Sequence, residues 1–186
     1  MKFFLSCIAT LAFACMLECG ERQPSAAHKD EALQIFDQFQ SQLLVTLKST
    51  IEKEGMTAAI AKCKTASPEM EKQMSANGWT VRRVSDRPRN PDHSPDASES
   101  RALAAWLKEM QTGNKPQPVS EVAAGELRVM RPIIIQADLC MRCHGSPEQM
   151  DPAAAREIAR QYPADRATGY KMGDLRGAFS AVRKAD

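Results

Sequence analysis

Five consecutive residues, Cys140-Met141-Arg142-Cys143-His144, carry the clearest chemistry in this chain. Two cysteines separated by two residues and followed at once by a histidine form the attachment signature of c-type haem. The two thiols bond covalently to the haem vinyl groups, and the adjacent imidazole becomes the proximal ligand of the iron. The pattern therefore predicts one covalent haem c held by Cys140, Cys143 and His144.

Two other chemistries also use a Cys-x-x-Cys pair. A structural zinc site needs two further ligands, usually a second such pair or two spaced histidines, and His28 and His93 are not at ligand spacing. A thioredoxin-like redox pair belongs to a βαβ unit, and the chain shows no such alternation. Haem attachment is favoured, with redox and zinc chemistry as the alternatives.

Residues 1–14 have the features of an export signal. Lys2 supplies a positive charge and an apolar segment follows over residues 3–13, which is too short to span a membrane. Ala12-Phe13-Ala14 fits the small-residue cleavage pattern and would leave Cys15 first in the exported chain, open to lipid attachment. Because bacterial haem c is attached outside the cytoplasm, we expect a periplasmic protein, either soluble or lipid-anchored at Cys15.

Composition narrows the class of protein further. The 186 residues suffice for one domain with a core, and a net charge of +2 with 5% aromatic residues offers neither a basic excess nor stacking platforms. We therefore expect no nucleic-acid partner. Of the six cysteines, three lie near the N-terminus and two in the haem motif, which leaves Cys63 without an assigned role. An unpaired cysteine in an oxidising compartment must be buried or ligated.

The elements that must position these residues form an α+β pattern over residues 30–186, after a linker at 15–29. Apolar residues at helical spacing predict a helix from Asp30 that ends at Gly55, a second helix through Cys63, and a further turn from Ser67-Pro68. The remaining predicted elements are strands at 79–84, 119–123 and 126–135, helices at 97–110 and 151–160, a loop at 167–177, and a short strand or helix at 179–182.

The iron ligand opposite His144 decides what such a protein can do. The candidates are Cys63, His93, His28, one of the ten methionines, or none. Cys63 lies on a short predicted helix among small residues, although a buried structural cysteine is also common. A thiolate ligand would lower the reduction potential, whereas a thioether would raise it. The residues alone leave this choice open.

Several motifs follow one another along the chain: AIAKC at 59–63, SPE at 67–69, WTVRRVS at 79–85, RNPDHSPD at 89–96, Pro132, CMRCHG at 140–145, YP at 162–163, and glycine-containing residues over 165–177. Together they resemble a family of exported haem-c domains with a PAS-like fold, long catalogued as a domain of unknown function. Such domains occur alone or as the sensor region of bacterial kinases and chemoreceptors. One difference is His93, since asparagine is common at that place.

The resemblance implies a curved antiparallel sheet with N-terminal helices and a covalent haem pocket. It also implies that Cys63 is the distal iron ligand, opposite His144. In such a fold Arg82, Arg83, Arg87 and Arg89 lie near the pocket, where a guanidinium can pair bidentately with a haem propionate. We assign Arg82 and Arg89 to cofactor binding.

Three functions are compatible with these expectations. We favour a redox or gas sensor module, because loss of a thiolate ligand on reduction would convert a redox change or a diatomic gas into a structural change passed to a protein partner. The alternative is periplasmic electron transfer, which requires a coordination that survives reduction. A small haem peroxidase is third. It would need an open distal site with an acid–base residue, and only His93 offers an imidazole there, so an enzyme is less favoured.

Overall fold

A computed structural model describes residues 26–185, so the predicted export signal at 1–14, Cys15 and most of the predicted linker lie outside the described residues. The elements are α1 (Ala26–Met74), β1 (Thr80–Val84), a 3-10 turn (Pro91–His93), α2 (Ala97–Gln111), β2 (Val119–Ala123), β3 (Glu126–Ile134), α3 (Asp138–His144), α4 (Pro152–Gln161) and β4 (Leu175–Lys184). None of the helices in this part of the chain is both long and apolar enough to cross a membrane.

The four strands form one antiparallel sheet in the order β1-β4-β3-β2. The α+β class and the antiparallel sheet that the sequence predicts are therefore confirmed. The prediction for the C-terminal segment was wrong in extent, because β4 begins at Leu175, inside the predicted loop, and runs to Lys184. β4 is an interior strand that is buried without alternation from Gly177 to Ala181, so the period-2 signal of a half-exposed strand is missing there.

Helix α1 joins what the sequence divides into two helices and a turn. It starts at Ala26 rather than Asp30, and Pro68 lies inside it rather than opening a new turn. The predicted break is present at Gly55, whose φ of 85° and ψ of 178° are non-helical and suit glycine alone. We call the two parts the first segment (residues 26–54) and the second segment (residues 56–74) of α1.

Helices cover both faces of the sheet. The first segment of α1 packs Phe36 and Phe39 against Phe179 of β4, with ring centroids 5.4 and 5.3 Å apart. On the opposite face, Leu103 and Trp106 of α2 belong to a second cluster. Burial of each large apolar side chain contributes about 1.5–3 kcal/mol, so these two clusters fix how the sheet lies between its helices.

The start of the second segment of α1 packs against α3 and α4, while Met70 and Met74 near its end pack against the sheet cluster of Phe36 and Phe39. Met56 and Ile60 of α1 share a cluster with Cys143 of α3 and Ile158 of α4. Helix α4 begins as the sequence predicts, with Asp151 accepting hydrogen bonds from two backbone amides and proline in the first turn. A cavity remains between α1, α3 and the end of the sheet.

Candidate functional site

The cavity has a volume of about 730 Å³, within the range of about 300–1,000 Å³ that is common for cofactor sites. Both segments of α1, the ends of β1 and β3, α3 and the loops near residues 88–93 and 161–164 form its walls. Five of the six residues that the sequence assigns to the site line it together: Cys63, Arg89, Cys140, Cys143 and His144. Side chains from distant parts of the sequence thus line one cavity.

The helical geometry of α3 brings the two cysteines and the histidine of the Cys-x-x-Cys-His motif close together. In a helix, residues three and four positions apart are neighbours on one face, so Cys143 and His144 lie beside Cys140. The helix ends at Gly145, where an added Cβ would lie 2.7 Å from the carbonyl oxygen of Met141. Any side chain there would force the end of α3 to move, so glycine keeps the histidine in place at the helix terminus.

The imidazole of His144 is held by one strong hydrogen bond. Its Nδ1 lies 2.7 Å from the carbonyl oxygen of Ala167, and since a carbonyl only accepts, Nδ1 carries the proton. Nε2 then keeps its lone pair, which is the arrangement of a metal-ligating histidine. Burial and the nearby charge of Arg176 and Arg89 place the pKa of His144 well below its ordinary value, so the ring is neutral.

Arg89 braces the loop that holds His144. Its guanidinium donates to the carbonyl oxygen of Cys143 at 2.6 Å and of Ala167 at 3.3 Å, and its Nε lies 3.2 Å from Oδ1 of Asp165. That same Oδ1 accepts from the backbone amide of Ala167 at 2.9 Å. Arg89 and Asp165 therefore fix the carbonyl to which His144 is bonded.

Cys63 lies on the second segment of α1, in a different wall from α3. It is a free thiol, as are Cys140 and Cys143. Burial raises the pKa of the Cys63 thiol, while the positive charges of Arg83 and Arg89 oppose that rise. The neighbouring guanidiniums therefore favour a thiolate that burial alone would disfavour.

Glu71 connects α1 to β1 and to the loop at His93, on the Cys63 side of the cavity. It accepts a hydrogen bond from the backbone amide of Arg83 at 3.2 Å, and its Oε1 lies 3.2 Å from Nε2 of His93. Arg83 also donates to the hydroxyl of Ser67. His93, which its polar loop would leave exposed, is instead partly buried on the cavity wall.

Arg82 is the one predicted site residue that the structure does not bring to the cavity. Its guanidinium donates to the carbonyl oxygens of Asp92 at 3.0 Å and Ser94 at 2.7 Å, and the cavity is lined by Arg83 instead. Successive side chains of a strand point to opposite faces. Val81 packs against α1, so Arg83 shares that face and Arg82 points away.

Comparison with known proteins identifies the family of this chain. A family model described as Tll0287-like matches residues 21–182. The chain belongs to the Tll0287-like family. Among solved structures, the crystal structure of the cyanobacterial heme-protein Tll0287 is similar, with 28% sequence identity and a TM-score of 0.66 over 87% of this chain and 97% of that one. No curated protein matches the chain.

In this member of the Tll0287-like family, several lining residues were outside the site that the sequence predicted. The first segment of α1 contributes Leu43, Leu47 and Ile51, and β4 contributes Arg176. Trp79, Val81 and Arg83 alternate along one strand and therefore share a face, and this pattern could have indicated that Arg83 lines the cavity. No such indication existed for the α1 residues, because apolar residues at helical spacing show the same pattern whether they face a cavity or the core.

The residues present fit a covalently bound haem. The donor set consists of two free thiols and a neutral imidazole on one helix, with a further thiol on another wall. Within residues 26–185, no group of three or more His, Cys, Asp or Glu side chains is placed to hold a bare metal ion, which is the cluster that a zinc site requires. Cys140, Cys143, His144 and Cys63 are the residues that would hold the haem and its iron.

Proposed function

We propose that this protein carries one covalent haem c, bound to Cys140 and Cys143 with His144 and Cys63 as axial iron ligands, and acts as a redox or gas sensor module. The observation that carries the proposal is the shared cavity, which has the attachment helix on one wall and the Cys63 thiol on another. The similarity to a cyanobacterial heme-protein supports haem binding.

The haem would supply an iron that changes oxidation state and exchanges ligands, and the chain sets how that iron is held. His144 offers the Nε2 lone pair, with Nδ1 fixed on Ala167. Arg89 and Asp165 hold that carbonyl in place. Cys63 offers a thiol that must give up its proton to ligate ferric iron, and Arg83 and Arg89 assist that loss.

A sensing role is supported by where Cys63 sits in the fold. It belongs to the second segment of α1, after the break at Gly55, and the same segment carries Ser67 and Glu71. These two side chains hold Arg83 and His93 on the neighbouring strand and loop. A change in the bond between Cys63 and the iron would therefore act on a helix segment, a strand and a loop together.

Optical and EPR spectroscopy of the haem-loaded protein, first ferric and then ferrous, tests the proposal. We expect a low-spin thiolate signature that is lost on reduction, after which carbon monoxide binds. Cys63→Ser should lose the thiolate signature already in the ferric state, while Thr65→Ser, an exposed position on the same segment of α1, serves as the control. A ferrous iron that stays six-coordinate and does not bind carbon monoxide would instead indicate electron transfer.

We also propose a periplasmic location, soluble or lipid-anchored at Cys15, on the sequence of residues 1–15. Cell fractionation and the mass of the mature chain test it. A mature chain that starts at Cys15 is expected, with added acyl mass if it is a lipoprotein. An intact Met1 on haem-loaded protein would refute the export signal.

A further inference from the structure

Arg176 is the least satisfied arginine on the cavity wall. A guanidinium has five N–H donors, yet the one hydrogen bond that the Arg176 guanidinium makes within residues 26–185 is a long contact of 3.4 Å from Nη1 to the carbonyl oxygen of Arg87. Its guanidinium carbon lies 5.5 Å from the ring centre of Tyr170. No ion pair in this part of the chain includes Arg176.

The other two arginines on the wall already have partners. Arg89 pairs with Asp165 and donates to two backbone carbonyls. Arg83 donates to Ser67 and lies 3.8 Å from Glu71. Neither has a whole guanidinium free for an incoming group, whereas Arg176 has nearly all of its donors to offer.

The side chains that line the cavity carry a net positive charge, which favours binding of an anion. Its lining has five lysine or arginine side chains and a single carboxylate, namely Lys48, Lys64, Arg83, Arg89 and Arg176 against Asp92. Burial, together with the positive charges of Arg89 and Arg83, lowers the pKa of Arg176 to about 10, and Tyr170 and Asp165 oppose this shift only in part. A partly buried arginine in this state is stabilised by a planar carboxylate, which can accept two parallel hydrogen bonds.

We propose that Arg176 binds a propionate carboxylate of the haem, an assignment that rests on the proposed function above. Arg176, rather than the Arg82 and Arg89 expected from the sequence, then fixes the carboxylate-bearing part of the macrocycle. Arg89 holds the loop around His144, and Arg82 holds the loop at Asp92 and Ser94.

Resonance Raman spectroscopy of the covalent holoprotein tests the assignment, because the propionate bending band reports hydrogen bonding to the carboxylate. We expect Arg176→Gln to shift this band and to lower the reduction potential, since a positive charge near the haem is lost. Arg176→Lys should restore most of the potential. The control is Arg101→Gln, an arginine outside the cavity with a 68% exposed side chain, which should change neither quantity.

An Arg176→Gln protein with the wild-type band and potential would overturn the assignment. So would a loss of stability equal in the Gln and Lys variants without a band shift, because that is the result of a structural role. Haem that survives on a denaturing gel shows that the proposed attachment is intact in each variant. A wild-type protein without covalent haem would refute the proposed function instead.

A second measurement changes the porphyrin and keeps Arg176, so that it remains valid if the Arg176 variants do not fold. Iron mesoporphyrin IX and its dimethyl ester are bound to the Cys140→Ala/Cys143→Ala protein, in which no thioether forms. Because hydrogen bonds to charged groups are strong, we expect the ester to bind at least about tenfold more weakly, which is about 1.4 kcal/mol. Equal affinities would overturn the assignment.

Discussion

Single side chains around His144 show how the chain fixes the orientation of this imidazole. The carbonyl of Ala167 fixes the imidazole, and Asp165 fixes Ala167 through its backbone amide. Arg89 joins Asp165 to the carbonyl of Cys143. These contacts connect three positions that are far apart in the sequence, so the orientation of His144 depends on tertiary structure and not on the haem motif alone.

Asp165→Asn should loosen this arrangement measurably. Asparagine keeps an oxygen for the amide of Ala167 but loses the charge that pairs with Arg89. Both side chains of the pair are largely buried, so we expect the free energy of unfolding of the haem-loaded protein to fall by about 1–3 kcal/mol, as measured by denaturant titration. Asp165→Ala should cost more, because it also removes the acceptor for Ala167.

Asp37→Asn is the matched control for this pair. Asp37 forms an ion pair with Arg131, but its side chain is 73% exposed, and exposed pairs contribute about 0–1 kcal/mol. Similar losses from Asp165→Asn and Asp37→Asn would show that the Arg89–Asp165 pair has no special part in holding His144.

At the level of residues, the sequence alone was enough to group Cys140, Cys143 and His144, because they are close in the chain and share one helix face. The choice between Arg82 and Arg83 could not be made from the sequence, because it depends on which face of β1 meets α1. The alternation through Val81 contained that information in part. The role of Arg89 had no sequence signal, because its partners Asp165 and Ala167 come from a loop whose position only the folded chain sets.

Among the elements, α1 differs most from the prediction and has the most bearing on the site. Its segments are joined at Gly55, where an added Cβ would meet nothing within 4 Å. The break is thus a property of the backbone, with φ at 85°, and not of crowding. Local periodicity located the break correctly but could not show that the helical segments continue into one another.

Gly55→Ala should therefore be costly for conformational reasons alone. A non-glycine residue held in such a region costs about 1–3 kcal/mol, and relief of that strain would straighten α1 and move Cys63. We expect a lower free energy of unfolding together with a weakened thiolate signature in the ferric EPR spectrum of the haem-loaded protein.

Gly113→Ala is the control for this substitution. Gly113 also has a positive φ, 80°, and open space around its Cβ position, but it lies after α2, away from the cavity. It should lower stability by a similar amount without altering the ferric spectrum. A Gly55→Ala protein with wild-type stability and spectrum would show that the break does not position Cys63.

Gly177 combines a positive φ of 155° with crowding that leaves no room for a side chain. A Cβ at this position would lie 2.2 Å from the carbonyl oxygen of Val84, so β1 and β4 could not keep their spacing. We expect Gly177→Ala to reduce the free energy of unfolding by at least about 2 kcal/mol. Gly173→Ala, at a φ of 89° with open space, should cost less, and equal losses would refute the role of close approach.

For the whole molecule, the cavity lies where two packing units meet. The first segment of α1 is fixed to the sheet through Phe36 and Phe39, and the start of the second segment is fixed to α3 and α4 through Met56 and Ile60. A haem in this cavity would contact both units. Its attachment would then contribute to the stability of the chain as well as to its function.

Cys140→Ala/Cys143→Ala tests this relation, because it removes both thiols and leaves His144 and Cys63 in place. We expect no haem stain on a denaturing gel and a lower thermal midpoint than that of the haem-loaded wild type, since a group bound to the folded state stabilises it. Cys63→Ser is the control. It removes a thiol from the same cavity but should keep the haem on the denaturing gel. Haem that stays attached to the double variant would contradict covalent binding at α3, and an unchanged thermal midpoint would show that the two packing units are stable without the haem between them.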